Sequence, residues 1–223
     1  MTRWLLRIAF LFLMTLPVAG EQITIGSKKF TENIILGEIA SHLSQDAGLE
    51  TEHRRELGGT RVLWNALLAG DIDIYPEYTG TIRQEILYEK NIDTDEELHQ
   101  VLSKYDIISS PPLGFNNTYA IGVKANDADA LGLKTISDLK DHPDLAIGFT
   151  NEFIDRKDGW PGLQKHYGLP HKNVRGLDHD LAYRGLDSGS IQVIDMYSTD
   201  AEIQYYGLIE LEDDLNYFPR YDA

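Results

Sequence analysis

Polar and apolar residues alternate singly over residues 70–75, where Ile72 and Ile74 fall on one face and Asp71 and Asp73 on the other, the two-residue period of a short β-strand. Pro76 removes a backbone donor and stops the ladder, so the pattern delivers Tyr75 and Tyr78 to a strand's end. The same pattern returns at 189–197: Gly189 aligns with Gly70, Ile191 with Ile72, Val193 with Ile74 and Tyr197 with Tyr78. Each tyrosine is followed by small hydroxyl residues suited to starting a helix. Two similar lobes, each offering an aromatic ring beyond a strand's carboxyl end, predict a cleft between them, because open α/β sheets bind ligands outside those ends.

Elsewhere the chain alternates strand and helix patterns. A strand over 22–26 precedes a helix over 31–47, in which Ile35, Ile39, Leu43 and Ala47 recur every four residues and predict one buried stripe. A polar strand at 52–56, the turn Gly58-Gly59-Thr60 and a helix through Val62, Leu63, Ala66 and Leu67 lead into the 70–75 strand. Thr94-Asp-Glu-Glu97 is a capping-box pattern, opening a helix with Leu98, Val101, Leu102 and Tyr105 on one face. Pro111 and Pro112 then hold residues 107–112 extended, as a bridge between lobes.

Beyond that bridge, strands are expected at 118–123, 145–149, 173–177, 191–196 and 209–211. Helices are expected at 161–167, with Pro161 in its first turn and Gly168 past its end, and at 178–186. The strand-helix-strand order implies mostly parallel sheets with right-handed crossovers. The organisation expected is a leader over 1–20, a first lobe over 21–109, a first crossing at 110–117, a second lobe over 118–212 and a return crossing at 213–223. A first lobe left at residue 109 is normally closed by later residues, so the chain is expected to be short at its carboxyl end.

Composition narrows the function classes. The 223 residues, 42% of them apolar, suffice for a real core, and a formal net charge of −16 argues against nucleic acid, whose phosphates need a clustered basic face. Arg3 and Arg7, the apolar run 5–16 and Val18-Ala-Gly20 read as a cleaved secretory signal, so the mature protein is expected in an exported compartment, a bacterial periplasm. With no cysteine there are no disulfides, thiolate metal sites or lipid-modified cysteine. The seven histidines lack metal-type spacing, Asp178-His-Asp180 reads as a helix cap, and Glu212-Asp-Asp214 reads as a solvated turn. No nucleophile elbow or phosphate loop is present, and no cofactor or metal is expected.

Five stretches together carry a family resemblance: Gly26-Ser-Lys-Lys-Phe-Thr-Glu-Asn33, Leu57-Gly-Gly-Thr60, Gly70-Asp-Ile-Asp-Ile-Tyr-Pro-Glu-Tyr-Thr-Gly-Thr81, Leu113-Gly-Phe-Asn-Asn-Thr-Tyr-Ala120 and Tyr197-Ser-Thr-Asp200. The chain resembles the substrate-binding proteins of glycine betaine/choline-type ABC importers over nearly its whole mature length. That resemblance implies an α/β, two-lobed periplasmic binding protein of type II. It also implies a monomer that closes around a quaternary amine and hands it to a membrane permease, with members usually continuing past the position of Ala223.

By the same resemblance, Tyr78, Tyr119, Tyr197 and Tyr221 form an aromatic cage. The physics agrees: a trimethylammonium group has no N–H to donate, so hydrogen bonds cannot select it, whereas ring faces attract it through their quadrupoles. For a ligand carboxylate the candidates are Lys28, Thr81 and Arg156, the arginine through two parallel donors. Asn117 matches a polar position near the cation, where an acid would add attraction that a neutral amide does not. Retained basic residues favour glycine betaine or a related betaine; choline or carnitine is the alternative, and a sensor or enzyme domain on the same fold is a further one.

Overall fold

The computed structural model describes residues 22–223; the leader expected over 1–20 lies outside the described residues. In chain order the elements are β1 (Ile23–Gly26), α1 (Thr31–Asp46), β2 (Thr51–Arg54), α2 (Thr60–Ala69), α3 (Thr79–Thr81, continuing as a wider turn over Ile82–Ile86) and α4 (Asp95–Leu102). After the bridge come β3 (Tyr119–Lys124), α5 (Ala125–Leu131), β4 (Ile147–Thr150), α6 (Asn151–Asp155), α7 (Trp160–Tyr167), β5 (Val174–Leu177), α8 (His179–Asp187), β6 (Ile194–Tyr197), α9 (Ala201–Tyr206) and β7 (Leu208–Leu211).

The repeat read from the sequence exists in three dimensions. β1 pairs with β2 in parallel, and β4 pairs with β5 in parallel. On the other edge of each pair the repeat supplies a single parallel bridge, Ile25 to Ile74 in one half and Ile147 to Val193 in the other. Gly26 N donates to Ile74 O at 2.8 Å, and Gly148 N donates to Val193 O at 3.0 Å. Both glycines are needed for close approach: a Cβ on Gly26 would sit 2.7 Å from Ile72 Cδ1, and one on Gly148 would sit 2.5 Å from Ile191 Cδ1. The 70–75 stretch is thus one bridge long rather than a full strand, because Pro76 truncates it.

In the second lobe β3 runs antiparallel to both neighbours, β6 and β7, so this lobe joins an antiparallel sheet to the parallel β4–β5 pair. β3 enters directly from the bridge instead of through a crossover helix, and this sets its direction. Around this sheet lies the larger apolar core, with Ile121, Val123, Ile136, Leu139, Phe149, Phe153 and Leu163 all buried. The first lobe has a smaller cluster, in which Trp64 packs with Ile82, Ile86, Leu98 and Leu102. The Thr94–Glu97 capping box forms with both hydrogen bonds at 3.2 Å.

Two expectations are overturned, the buried stripe of α1 and the cap at Asp178. Ile35, Ile39 and Leu43 of α1 are 53%, 49% and 66% exposed, while Asn33, Gly37 and Ser41 face the sheet. The reason is the strand they meet: β2 points Thr51 and His53 toward the helix, so the matching face must be small or polar. Ser41 Oγ lies 3.2 Å from Thr51 Oγ1, and Gly37 leaves room for the His53 ring. Asn33 ties the helix to both strand ends, accepting from Lys28 N and donating to Pro76 O. Asp178 differs too: its side chain does not cap α8 but pairs with Lys29 across the lobes at 2.6 Å.

The two crossings lie side by side. Leu113 N donates to Ala223 O, Asn117 N donates to Tyr221 O, and Asn116 and Asp222 form an antiparallel bridge. A short two-stranded ribbon therefore underlies the cleft.

Candidate functional site

The strand ends and the ribbon converge on one narrow cavity, with about 20 Å³ open to the centre of a water-sized molecule and a mouth that reaches solvent. Each lining residue arrives there for a local reason. Lys28 follows β1, Tyr78 precedes the first turn of α3 and Thr81 ends it. Tyr119 begins β3 beside Asn117, and Tyr197 ends β6. Arg156 follows α6, and Tyr221 lies on the return crossing. All eight residues singled out from the sequence line this cavity: Lys28, Tyr78, Thr81, Asn117, Tyr119, Arg156, Tyr197 and Tyr221.

Three of the four tyrosines form a continuous aromatic wall. The ring centroids of Tyr119 and Tyr197 are 5.1 Å apart, and those of Tyr119 and Tyr221 are 5.6 Å apart and nearly perpendicular. Phe30, at the amino end of α1, extends the wall, with its centroid 5.4 Å from that of Tyr197. Tyr78 lines the cavity without a ring contact to the other three, and Lys28 Nζ lies 5.6 Å from its ring centroid. Burial pushes the phenols of Tyr78, Tyr119, Tyr197 and Tyr221 well up, so they stand as neutral rings with hydroxyl donors.

The basic residues are already engaged. Lys28 Nζ lies 2.6 Å from Glu77 Oε1 and 3.1 Å from Thr60 Oγ1. The two parallel donors expected to grip a ligand carboxylate, Arg156 Nε and Nη2, hold Asp158 instead, at 2.8 and 2.5 Å. That changes the expected geometry, because Asp158 is only two residues away and buried beside the guanidinium. Arg156 Nη1 remains, 3.4 Å from Thr81 Oγ1 and 3.7 Å from Glu152 Oε1. Tyr221 Oη also donates to Asp158, at 2.8 Å.

Sequence reasoning missed Phe30, Glu32, Glu152 and Asp200, all of which line the cavity. Glu32 occupies the first turn of α1, where the positive end of the helix favours a carboxylate. Its Oε1 accepts from Tyr78 Oη and from Asn117 Nδ2, both at 2.7 Å, and its Oε2 accepts from Thr199 Oγ1 at 2.6 Å. Asn117 Oδ1 is buried and finds no hydrogen-bond partner among the described residues. Asp200 accepts from His179, Tyr183 and the Tyr197 backbone. Burial opposes charge on His179 most strongly, but the hydrogen bond to Asp200 together with the charges of Asp200, Asp195 and Asp180 outweighs it and raises the imidazole pKa. The signal for Phe30 and Glu32 was present, since both fall inside the quoted Gly26–Asn33 motif.

Among the described residues four side-chain hydrogen bonds cross the cleft from lobe to lobe: Thr60 Oγ1 to Glu152 Oε1 at 2.6 Å, Lys29 to Asp178, Thr199 to Glu32, and Arg156 to Thr81. Among the described residues no group of His, Asp and Glu is arranged to hold a metal ion, and no helix is long and apolar enough to cross a membrane.

Comparison with known proteins places this geometry. A family model described as the substrate binding domain of ABC-type glycine betaine transport system matches residues 21–223. The carnitine transport binding protein OpuCC of Listeria monocytogenes is 34% identical over 227 residues, covering 96% of this chain and 74% of the relative. The ergothioneine transport permease/ergothioneine binding protein EgtU of Helicobacter pylori is 30% identical over 213 residues; the match covers 92% of this chain but spans only 38% of that longer protein. A solved structure described as a glycine betaine/carnitine/choline ABC transporter superposes with a TM-score of 0.68 at 30% identity, covering 90% of this chain and 77% of that one. The architecture is the two-lobed, type II periplasmic-binding-protein fold. The chain belongs to the family of substrate-binding domains of ABC-type glycine betaine transport systems.

Proposed function

We propose that this chain is a periplasmic solute-binding protein that captures glycine betaine or a related quaternary amine between its lobes and delivers it, as a monomer, to the permease of an ABC importer. The observation that carries this reading is the wall of Tyr119, Tyr197 and Tyr221, with Tyr78 lining the same cavity. A quaternary ammonium group cannot be recognised by donating hydrogen bonds, and desolvated ring faces are the chemistry that attracts it, by about 2 kcal/mol or more per well-placed ring.

Closure supplies the second half of the mechanism. Tyr78 comes from the first lobe, Tyr197 from the second and Tyr221 from the return crossing, so a ligand touching all three binds the closed state more tightly than the open one. The hydrogen bonds across the cleft add to that state, and the permease would read it. No step of this cycle makes or breaks a covalent bond. The names of the relatives point to the same ligand class, since OpuCC is named for carnitine and EgtU for ergothioneine.

One observation favours choline as a second reading. Both cavity cations already hold carboxylates, Lys28 with Glu77 and Arg156 with Asp158, and choline brings no carboxylate that would have to compete for them. Calorimetric titration with glycine betaine, carnitine, choline and a primary-amine amino acid tests the proposal. Saturable heat is expected from the quaternary amines alone. Arg156→Ala is expected to weaken glycine betaine far more than choline; equal losses refute a carboxylate role for Arg156, and binding of the amino acid in preference refutes the ligand class.

A further inference from the structure

The charges around the cavity pair off with one exception. Lys28 is matched by Glu77, Arg156 by Asp158 with Glu152 nearby, and Asp200 by His179. Glu32 is the lining carboxylate without a cationic partner among the described residues; it is held only by the neutral donors of Tyr78, Asn117 and Thr199. Glu32 is half-buried and all its donors are neutral, so its charge is left for a cation in the cavity to neutralise.

We infer that Glu32 is the counter-charge for the quaternary ammonium head, and that it makes the cavity select for positive charge rather than for shape alone. The inference rests on the quaternary-amine reading above and deepens it. Three features of the arrangement carry it. First, Glu32 reaches the cavity from the first turn of α1, on the same motif that supplies Lys28 and Phe30. Second, its bond from Tyr78 acts on the ring as well as on the acid: a phenol donating to a carboxylate is polarised, and its face becomes more negative toward a cation.

Third, Asn117 aims Glu32. Because Asn117 Nδ2 must be the end that donates to a carboxylate, Oδ1 is turned elsewhere and is left buried without a partner. A polarised N-methyl C–H is a group such an oxygen can accept. The neutral amide at 117 is therefore not a missing acid; the acid stands one hydrogen bond away, on a different element. Asn117 is a positioning residue, and Glu32 is the residue that sets specificity.

The bond from Thr199 offers a competing explanation, since it links the lobes and would make Glu32 only a latch. Two variants of the full chain separate these roles: Glu32→Gln removes the charge, and Thr199→Val removes the latch while keeping the charge. The probes are choline and its neutral carbon isostere, 3,3-dimethyl-1-butanol, titrated calorimetrically. Glu32→Gln is expected to lower choline affinity by about 10- to 100-fold, at the low end of the loss on breaking a fully buried charge pair because Glu32 is only half-buried. The isostere is expected to change less than about threefold, as a probe with no charge to lose. Thr199→Val is expected to weaken choline by at least tenfold less than Glu32→Gln does.

Equal loss of choline in the two variants, or parallel loss of choline and the alcohol in Glu32→Gln, overturns the inference and leaves a latch. Failure of the unaltered chain to bind choline, glycine betaine and carnitine overturns the quaternary-amine reading itself. The two failures are thus told apart.

Discussion

Helices α1 and α7 hold equivalent places, each crossing from the first to the second strand of a parallel pair, yet they dock by opposite means. α7 buries Trp160, Leu163 and Tyr167 against an apolar sheet face. α1 buries Asn33, Gly37 and Ser41 against Thr51 and His53, and leaves Ile35, Ile39 and Leu43 uncovered by the described residues. The second lobe is held together by area removed from water; the corresponding layer of the first is held by close approach and hydrogen bonds. The difference teaches that a hydrophobic period identifies a stripe, not the face that meets the sheet. Where the strand is polar, the helix turns its small residues inward.

Substitutions can break or sharpen this contrast. Phe153→Ala, in the second lobe's core and touching both Phe149 and Tyr119, is expected to have the largest effect, a loss of about 3 to 5 kcal/mol in chemical denaturation. A smaller loss would mean that the core relaxes around the cavity. Gly26→Ala and Gly148→Ala test the repeat itself. Each adds a methyl group against an isoleucine at the matching position, so each should cost about 1 to 3 kcal/mol, and similar values would mark equivalent packing.

Asp195 gives a pH test confined to the second lobe. Burial raises its carboxyl from 3.8 to about 6, despite the hydrogen bonds from Thr150. A raised folded-state pKa means that this group's stabilisation is fully present below pH 3.8 and is lost as pH rises through about 6. That difference corresponds to about 3 kcal/mol. Asp195→Asn should therefore flatten the fall in stability between pH 4 and 7, and an unchanged pH profile would show that Asp195 does not titrate there. His179 acts in the same direction, since its raised pKa also favours the folded state on the acid side. The smallest effect is expected from Leu43→Ala on the exposed stripe, within about 0.5 kcal/mol. A loss above 2 kcal/mol would mean that the stripe is covered in solution.

Much of the fold was legible because the informative patterns were local. The capping box at Thr94, the glycine end of α7, and the 70–78 and 189–197 repeat each follow from chemistry within a few residues. Short helices such as α5, α6 and α9 were not legible, since five to seven residues hold too few apolar positions to display a period. The gathering of eight chosen positions around one cavity was legible through the family resemblance, since only some of them, such as Lys28, Tyr119 and Tyr197, sit at strand ends, while Arg156 follows a helix and Tyr221 lies on the return crossing. Glu32 was passed over although it lies in the Gly26–Asn33 motif, because an acid in a helix's first turn is explained well enough by the helix dipole. The pairing of Arg156 with Asp158 was equally hidden, because an arginine two residues from an aspartate is usually a solvated surface pair.

The central claim is that aromatic faces from both lobes enclose a methylated cation, and proton NMR of the ligand tests it most directly. Titrating the full chain into glycine betaine, the N-methyl resonance should move upfield as it saturates, because protons above the rings of Tyr119, Tyr197 and Tyr221 feel their ring currents. A saturating titration in which the N-methyl signal keeps its free position, while the methylene next to the carboxylate shifts, would contradict the account.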